Sequence, residues 1–296
     1  MFMRARKVIS KNKLRYLSLF AGFFLFVAPF ALLTRLVYFL LGNVAEPDLH
    51  TICLRMPIDW IFGGKFYMIF GSVMAGFVIL VLILSLFVGP LFCGWLCPVG
   101  AVSEGISRLI PIPNRFRIFV KDTKVTMGLR YGFLAGFVAI SMLVGYKIIA
   151  STDISTICCR YCTSSVLQNI AIGVFGNITA VEYWHTGAIL SLTAWLIIGG
   201  IFMVGGRGWC LFFCPLGALS GLIHKAGAKL GFYRMRFDST KCKDCKTCKT
   251  VCPTWAINDN HSIETSLCIN CKECSNLCPS GAFVFNRGKE NAKLVS

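Results

Sequence analysis

The chain contains 296 residues, of which 56% are hydrophobic and only 15% are charged. A soluble protein seldom exceeds half apolar residues, so this composition predicts membrane-spanning segments. The formal net charge is +17, which in a soluble protein would suggest a nucleic-acid partner. Because the lysines and arginines lie between apolar runs, where they orient a membrane protein, we expect no nucleic-acid partner.

Four apolar stretches are long enough to cross a bilayer, which takes about 20 residues. They run from about 17 to 41, 66 to 89, 127 to 150 and 184 to 204. Lysine and arginine concentrate before the first stretch and between the second and third, whereas the other two connections mix basic and acidic residues. The positive-inside rule therefore predicts a multi-pass protein of a bacterial inner membrane with both termini in the cytoplasm.

The apolar part is an internal repeat. The second stretch leads into C-x3-C-P-x-G-A at 93–101, and the fourth leads into the same motif at 210–218. The connections expected on the outer side share T-I-C-x-R, at 51–55 and 156–160. With two spans per unit, the halves have the same orientation and are related by an axis along the membrane normal.

A second pattern, C-x2-C-x2-C-x3-C-P, occurs twice near the C-terminus, at 242–253 and 268–279. Bacterial ferredoxins use this run to hold two [4Fe–4S] clusters, and the fourth cysteine of each run ligates the other cluster. The spacing predicts one cluster on Cys242, Cys245, Cys248 and Cys278, and a second on Cys268, Cys271, Cys274 and Cys252. A zinc ribbon has similar knuckles but leaves the x3-C-P elements unexplained. We therefore interpret the chain as a carrier of single electrons.

The other eight cysteines form two groups. C-x3-C places two thiols on one helix face, and pairing of the repeats brings together Cys93, Cys97, Cys210 and Cys214. They are either one further redox or metal site or inert thiols that pack a helix end. The outer group is Cys53, Cys158, Cys159 and Cys162, for which a disulfide and a metal site both remain open. Candidates for proton handling are Glu104 and, at the outer mouth of the fourth stretch, Glu182 with His185, although most such residues are solvated interface groups.

These patterns predict a mainly α protein. Residues 1–236 form a four-transmembrane-helix bundle built from two parallel two-helix repeats, and residues 237–296 form a small α+β bacterial-ferredoxin-like 2[4Fe-4S] domain. The bundle carries no histidine pair suited to a b-type haem. No C-x-x-C-H motif or dinucleotide-binding glycine motif occurs in the sequence.

The combination of four spans, two inner C-x3-C-P motifs and a C-terminal double ferredoxin run resembles a known group. It is similar to the NapH-type quinol dehydrogenase membrane components and to the NosR- and CcoG-like membrane 4Fe-4S ferredoxin-type proteins. The resemblance implies that electrons pass from quinol in the membrane pool to an iron–sulfur or cytochrome partner subunit, in a periplasmic pathway such as nitrate reduction. The outer T-I-C-x-R cysteines depart from the nitrate-reductase type.

Two alternatives to this function remain open. An assembly or maturation factor would use the clusters to reduce a metal or thiol for another enzyme. Electrons could also flow the other way, from a cytoplasmic donor to quinone.

Overall fold

The structure is a computed structural model that describes residues 11–27, 29–42, 54–110, 112–113, 116–120, 122–149, 162–176 and 186–288. Its N-terminal part contains α1 (Lys13–Phe26), α2 (Leu32–Leu40), α3 (Arg55–Phe62), α4 (Phe66–Gly71), α5 (Val73–Phe87), a π-helical turn (Phe92–Leu96), α6 (Pro98–Leu109) and α7 (Thr123–Gly145). It continues through α8 (Thr163–Phe175), α9 (Thr186–Leu192), a second π-helix (Thr193–Phe202), α10 (Gly208–Phe212) and α11 (Pro215–Lys229). The described chain is therefore mostly helical, as the sequence predicts.

The predicted spans differ in continuity. Within the described residues, one helix, α7, is long and apolar enough to cross a membrane. The first predicted span is divided between α1 and α2, where Ala31 has a left-handed backbone with φ 39°. The second is divided at Ser72, whose extended backbone separates α4 from α5. The fourth changes from α-helix to π-helix at Thr193. These breaks shorten the individual helices, so the four predicted spans are not all uninterrupted helices within the part of the chain that the structure describes.

In both C-x3-C-P motifs the second cysteine lies past the helical turn that carries the first, so the prediction of two thiols on one helix face is wrong. Cys97 is the N-cap of α6 and Cys214 is the N-cap of α11, and each is followed by a proline at the first helical position. Proline suits this position because its missing N–H is one that the helix leaves unpaired. Helix α6 then packs against the second π-helix, and α11 packs against α5. Each motif helix therefore contacts the apolar helix of the other repeat.

The C-terminal unit is also built from two similar halves. Strand β1 (Arg234–Phe237) pairs antiparallel with β2 (Phe283–Asn286), and short helices α12 (Thr247–Val251) and α13 (Glu273–Leu277) follow the two cysteine loops. Left-handed backbones recur at equivalent positions of the runs, in Asp244 and Asn270 and again in Lys246 and Lys272. These turns wind each loop around a common centre. Because β1 begins at Arg234, the predicted boundary between 236 and 237 falls inside this strand.

Glycines let this unit approach the helical part at backbone distance. A β-carbon on Gly94 would overlap the carbonyl oxygen of Ile269, and one on Gly221 would overlap that of Ser266. At Gly205, a β-carbon would lie 2.5 Å from the Cα of Pro253. Trp95 adds a hydrogen bond from its Nε1 to the carbonyl of Asn270, at 3.0 Å. The second cysteine run is thus seated directly on both C-x3-C-P repeats.

A buried ion network connects the same elements. Glu104 on α6 accepts from Arg15 at 2.7 Å, from Arg207 at 2.8 Å and from Arg108 at 2.8 Å. Arg15 also donates to Glu273 on α13, at 2.5 Å. Both carboxylates are fully buried. We refer to Arg15, Glu104, Arg108, Arg207 and Glu273 as the buried ion network.

The network corrects the expectation for Glu104. The interpretation as a solvated interface group is wrong, since this side chain is 0% exposed. Burial raises the pKa of Glu104, but the guanidinium groups of Arg15, Arg207 and Arg108 outweigh that effect and hold the pKa well below its usual range. Glu104 therefore stays ionised and acts as a structural anion.

Replacing Glu104 by glutamine should destabilise the fold strongly. Loss of the charge leaves three buried guanidinium groups with one carboxylate, and breaking a buried ion pair typically costs about 3–5 kcal/mol. Thermal unfolding of the detergent-solubilised protein, followed by circular dichroism, measures the effect. Asp259→Asn is the control, because that carboxylate is 91% exposed in its pair with Lys249 and exposed pairs contribute at most about 1 kcal/mol. Equal melting temperatures for the two variants would contradict a structural role for the network.

Candidate iron–sulfur sites

The structure brings the first predicted ligand set together across the two runs. This set, called cysteine set 1, consists of Cys242, Cys245, Cys248 and Cys278. Burial, together with the other three thiols of the set, which are close enough to interact electrostatically, raises the pKa of Cys248 to about 11. The cysteine from the distant run therefore lies with the three of the first run.

The second predicted set is also grouped across the two runs, with the fourth cysteine of the first run beside three cysteines of the second. Cysteine set 2 consists of Cys268, Cys271, Cys274 and Cys252. Burial raises the pKa of Cys274, and the other three thiols of the set add to the rise. Set 2 lies deeper than set 1, with Cys252 and Cys271 each 8% exposed, whereas Cys245 of set 1 is exposed at the surface.

Backbone N–H groups point at sulfur atoms in equivalent places of the two runs. The N–H of Ala256 donates to Cys252 Sγ at 3.3 Å, and the N–H of Ala282 donates to Cys278 Sγ at 3.4 Å. Hydrogen bonds to sulfur stabilise the thiolate form and help to set the potential of an iron–sulfur cluster. These hydrogen bonds favour the thiolate of both crossing cysteines; they lower the pKa of Cys278, whereas burial still raises the pKa of Cys252.

A third set of four cysteines lies where the two repeats meet. This bundle set consists of Cys93, Cys97, Cys210 and Cys214. Burial raises the pKa of Cys210, and the other three thiols of the set raise it further. The predicted pairing of the two repeats therefore brings these four side chains into one neighbourhood.

Two of the bundle thiols lie at helix N-termini. Gly217 donates its N–H to Cys214 Sγ at 3.3 Å. Burial raises the pKa of Cys214 to about 11, and this hydrogen bond opposes the rise. Burial likewise raises the pKa of Cys97, opposed by a hydrogen bond from the Gly100 N–H. Unpaired N–H groups at a helix N-terminus favour a negative ligand atom, so both positions suit a thiolate.

Two buried arginines face the bundle set. Arg207 donates to the carbonyl of Cys93, and Arg130 donates to the carbonyl of Gly217. Burial raises the pKa of Cys93, while both guanidinium groups act in the opposite direction. They supply positive charge beside four sulfur atoms in a region closed to water. Sequence reasoning missed both residues, because a lone arginine beside an apolar run carries no recognisable spacing.

The donor set of each site fits an iron–sulfur cluster. Each site offers four thiols, and thiolates are the usual ligands of [4Fe–4S] clusters. Across the described ranges, no three His, Cys, Asp or Glu side chains form a group suited to a single metal ion. A cubane holds its thiolates around four iron atoms, so its ligands are spread more widely than those of one ion.

The structure describes one of the four outer cysteines. Cys53, Cys158 and Cys159 lie outside the described residues. Cys162 is exposed at the N-cap of α8, and it lies close enough to Cys214 of the bundle set to interact with it electrostatically, so the structure does not place this outer cysteine on the opposite side from that set. A disulfide or metal site in this group stays a prediction.

His224 is a further buried group that the sequence did not single out. It lies on α11 with 1% exposure, and neither ring nitrogen has a hydrogen-bond partner among the described residues. A β-carbon on Gly89 would lie 2.8 Å from His224 Cε1, so the ring packs against the turn that follows α5. A single histidine forms no ligand pattern, which is why spacing gives no signal for it.

Comparison with known proteins identifies both halves of this arrangement. A family described as "4Fe-4S binding domain" matches residues 70–117 and 188–233, which contain the two C-x3-C-P motifs. A second family with the same description matches residues 261–284, which contain the second ferredoxin-type run. One family therefore matches both repeats, as expected for an internal duplication.

Several curated proteins are similar along most of the chain. A ferredoxin-type protein NapH from Haemophilus influenzae is 28% identical over 183 residues, covering 60% of this chain and 52% of the relative. Together with the 4Fe-4S family matches, relatives of this kind support a NapH-type 4Fe-4S ferredoxin family for this chain and indicate iron–sulfur electron transfer.

Two further relatives carry other names. The putative electron transport protein YccM from Escherichia coli is 27% identical over 207 residues, 67% of this chain and 53% of the relative. The methylamine utilization ferredoxin-type protein MauN from Methylorubrum extorquens is 26% identical over 230 residues, 73% of this chain and 66% of the relative. The chain spans about half the length of the first two relatives. No solved structure matches it.

The buried state of His224 predicts a pH dependence of the stability of this protein. Burial and the nearby Arg234 lower the pKa of His224 from 6.5 to about 4. Below pH 6.5 the unfolded chain binds a proton at His224 that the folded chain does not, so stability falls as the pH falls. At pH 5 the loss should be about 2 kcal/mol.

His224→Leu should remove that part of the pH dependence. Unfolding measured by circular dichroism at pH 7.5 and pH 5, for wild type and variant, isolates it, because acid damage elsewhere is common to both. Identical losses in the two proteins would contradict a buried neutral His224.

Proposed function

We propose that the chain is a membrane iron–sulfur component that passes electrons between the quinone pool and a redox partner. The observation that carries the proposal is the grouping of twelve cysteines into three sets of four, all near one end of an apolar helical part. Iron–sulfur clusters accept and donate one electron at a time, whereas quinol releases two electrons and two protons. A chain of such sites suits the conversion between these two kinds of donor.

The ligand assignment follows the three sets. Set 1 and set 2 each hold one [4Fe–4S] cluster, with Cys278 and Cys252 as the exchanged ligands. The reciprocal electrostatic neighbours of Cys248 and Cys274 support this exchange. We assign a third cluster to the bundle set. Its support is the convergence of the four thiols, the helix N-termini at Cys97 and Cys214, and the family match that covers both repeats.

A multi-pass arrangement in the bacterial inner membrane accounts for the apolar surface. Only 17% of the most apolar window of α7 is buried, whereas a core helix of a soluble protein would be mostly covered. Large apolar side chains are exposed on other helices as well, among them Phe20, Leu80, Ile83 and Phe133. Such a surface needs a lipid environment. In this arrangement 1–236 form the membrane domain, and both termini and the ferredoxin-like unit lie in the cytoplasm.

The partner is a second redox subunit, either another iron–sulfur protein or a cytochrome, in a pathway that leads to a periplasmic reductase such as nitrate reductase. The names of the relatives support a role in electron transport, but they do not specify the electron donor. Two alternatives remain. The chain could be a maturation factor that reduces a metal or thiol, or it could pass electrons from a cytoplasmic donor to quinone.

Iron analysis tests the number of clusters. Anaerobically purified protein should contain about twelve iron atoms and about twelve acid-labile sulfides per chain if all three sets bind cubanes. The double variant Cys97→Ser, Cys214→Ser should reduce both counts to about eight. Cys162→Ser is the matched control, since that thiol is exposed and belongs to none of the three sets although it lies near Cys214, and it should keep the wild-type count. About eight iron atoms in the wild type would overturn the bundle cluster.

Quinol oxidation tests the direction of electron flow. Adding menaquinol or ubiquinol analogues to the oxidised protein should bleach the visible absorbance of the clusters. The double cysteine variant, which retains sets 1 and 2, should be bleached at least about tenfold more slowly if electrons enter through the bundle set. Intact iron content without any bleaching by quinol would reject the quinol dehydrogenase role and favour one of the alternatives.

A further inference from the structure

The bundle set and set 2 meet through a direct backbone contact. Gly94, next to Cys93, lies against the carbonyl of Ile269, next to Cys268. The indole N–H of Trp95 donates to the carbonyl of Asn270 at 3.0 Å, one residue before Cys271. Ligand-bearing segments of two different sites are therefore in contact with no other element between them.

The buried ion network spans the same contact. Arg207 donates to the carbonyl of Cys93 and, at 2.8 Å, to Glu104. Arg15 donates to the carbonyl of Gly94 at 3.0 Å and is electrostatically coupled to Cys271. Glu104 joins the two arginines, so one chain of charges runs from the bundle set to set 2.

Burial gives this contact the properties that electron transfer needs. Arg15 and Arg207 are each 1% exposed, and Glu104 is 0% exposed. Side chains this buried are shielded from bulk solvent, and charges held in ion pairs reorganise little when a neighbouring charge changes. The network contains three guanidinium groups and two carboxylates, so it is positive overall between two groups of thiolates. Net charge and hydrogen bonding are among the factors that set cluster potentials.

We propose that the contact of the Cys93–Cys97 segment with loop 268–274 is an electron-transfer junction, in which Arg15 and Arg207 are positioning residues that hold the bundle set and set 2 together. The inference rests on the bundle cluster of the proposed function. Transfer across the junction moves one electron, oxidises one cysteine-bound site and reduces the other, and forms or breaks no bond. Because set 1 lies nearer the surface, the order along the chain is bundle set, set 2, set 1.

Spin coupling between reduced clusters tests the junction. The wild-type protein, purified anaerobically, is reduced fully with dithionite and its electron paramagnetic resonance spectrum is recorded. Neighbouring paramagnetic clusters split each other's signals, so the wild type should give a spin-coupled spectrum that includes the bundle cluster. The double variant Cys97→Ser, Cys214→Ser should lose that component and keep the coupling between the clusters of sets 1 and 2.

Gly94→Ala changes the contact itself. The added β-carbon overlaps the carbonyl of Ile269 and must push the loop away, so the bundle component of the coupling should weaken while the iron count stays at about twelve. Gly105→Ala is the matched control, because a β-carbon there meets no atom within 4 Å. Identical spectra for Gly94→Ala and Gly105→Ala would overturn the junction.

Arg207→Lys provides a second test if the alanine variant fails to fold. Lysine keeps the charge, but its compact ammonium group cannot reproduce the planar fork that joins Glu104 to the Cys93 carbonyl. The bundle component of the coupling should weaken with the iron count unchanged. Unaltered coupling in this variant overturns the positioning role.

Iron content separates the two possible failures. About twelve iron atoms with independent, unsplit signals in the wild type would overturn the junction and leave the bundle cluster in place. About eight iron atoms would overturn the bundle cluster, and with it the junction, while leaving electron transfer through sets 1 and 2 unaffected.

Discussion

Two buried carboxylates, Glu104 and Glu273, share Arg15 and Arg108, and Glu104 also pairs with Arg207. Removing such charges from water costs several kcal/mol per ion, and this cost is recovered only if the partners are positioned well. Arg15 comes from the first helix, Arg207 precedes α10, and Glu273 belongs to the second ferredoxin-type run. The network is therefore complete only when the C-terminal unit is seated on the helical part. The ion pairs of the network therefore hold the C-terminal unit against the helical part.

The network also explains an asymmetry between the repeats. When the two C-x3-C-P motifs are aligned through Cys93 and Cys210, Gly221 stands where Glu104 stands in the first repeat. Glu104 anchors the arginines, whereas Gly221 leaves room for the carbonyl of Ser266. A duplicated helical unit receives a single C-terminal unit, so its two halves must make different contacts with it. The departure from symmetry marks the surface on which the C-terminal unit docks.

Much of the fold was predictable because it follows from local spacing. The two ferredoxin-type runs, the helix starts after Cys97 and Cys214 and the repeat of the membrane motif are all visible in short segments. The helix breaks at Ala31 and Ser72 were not predictable, because hydropathy measures burial in lipid and carries no information about backbone continuity. The role of Glu104 was misread for a related reason: a charged residue near a span has the same sequence signal whether it is solvated or paired.

The sequence by itself determined the chemistry of this protein. The number and spacing of its cysteines specify thiolate ligands for iron–sulfur clusters, since ligand spacing within a loop is a local property. Only the tertiary structure decided how the sites are arranged with respect to one another. The meeting of Gly94 with Ile269, the arginines beside the bundle set and the buried partners of Glu104 all depend on contacts between residues far apart in the chain. Such contacts arise from packing and charge burial across the whole fold, which no local pattern records.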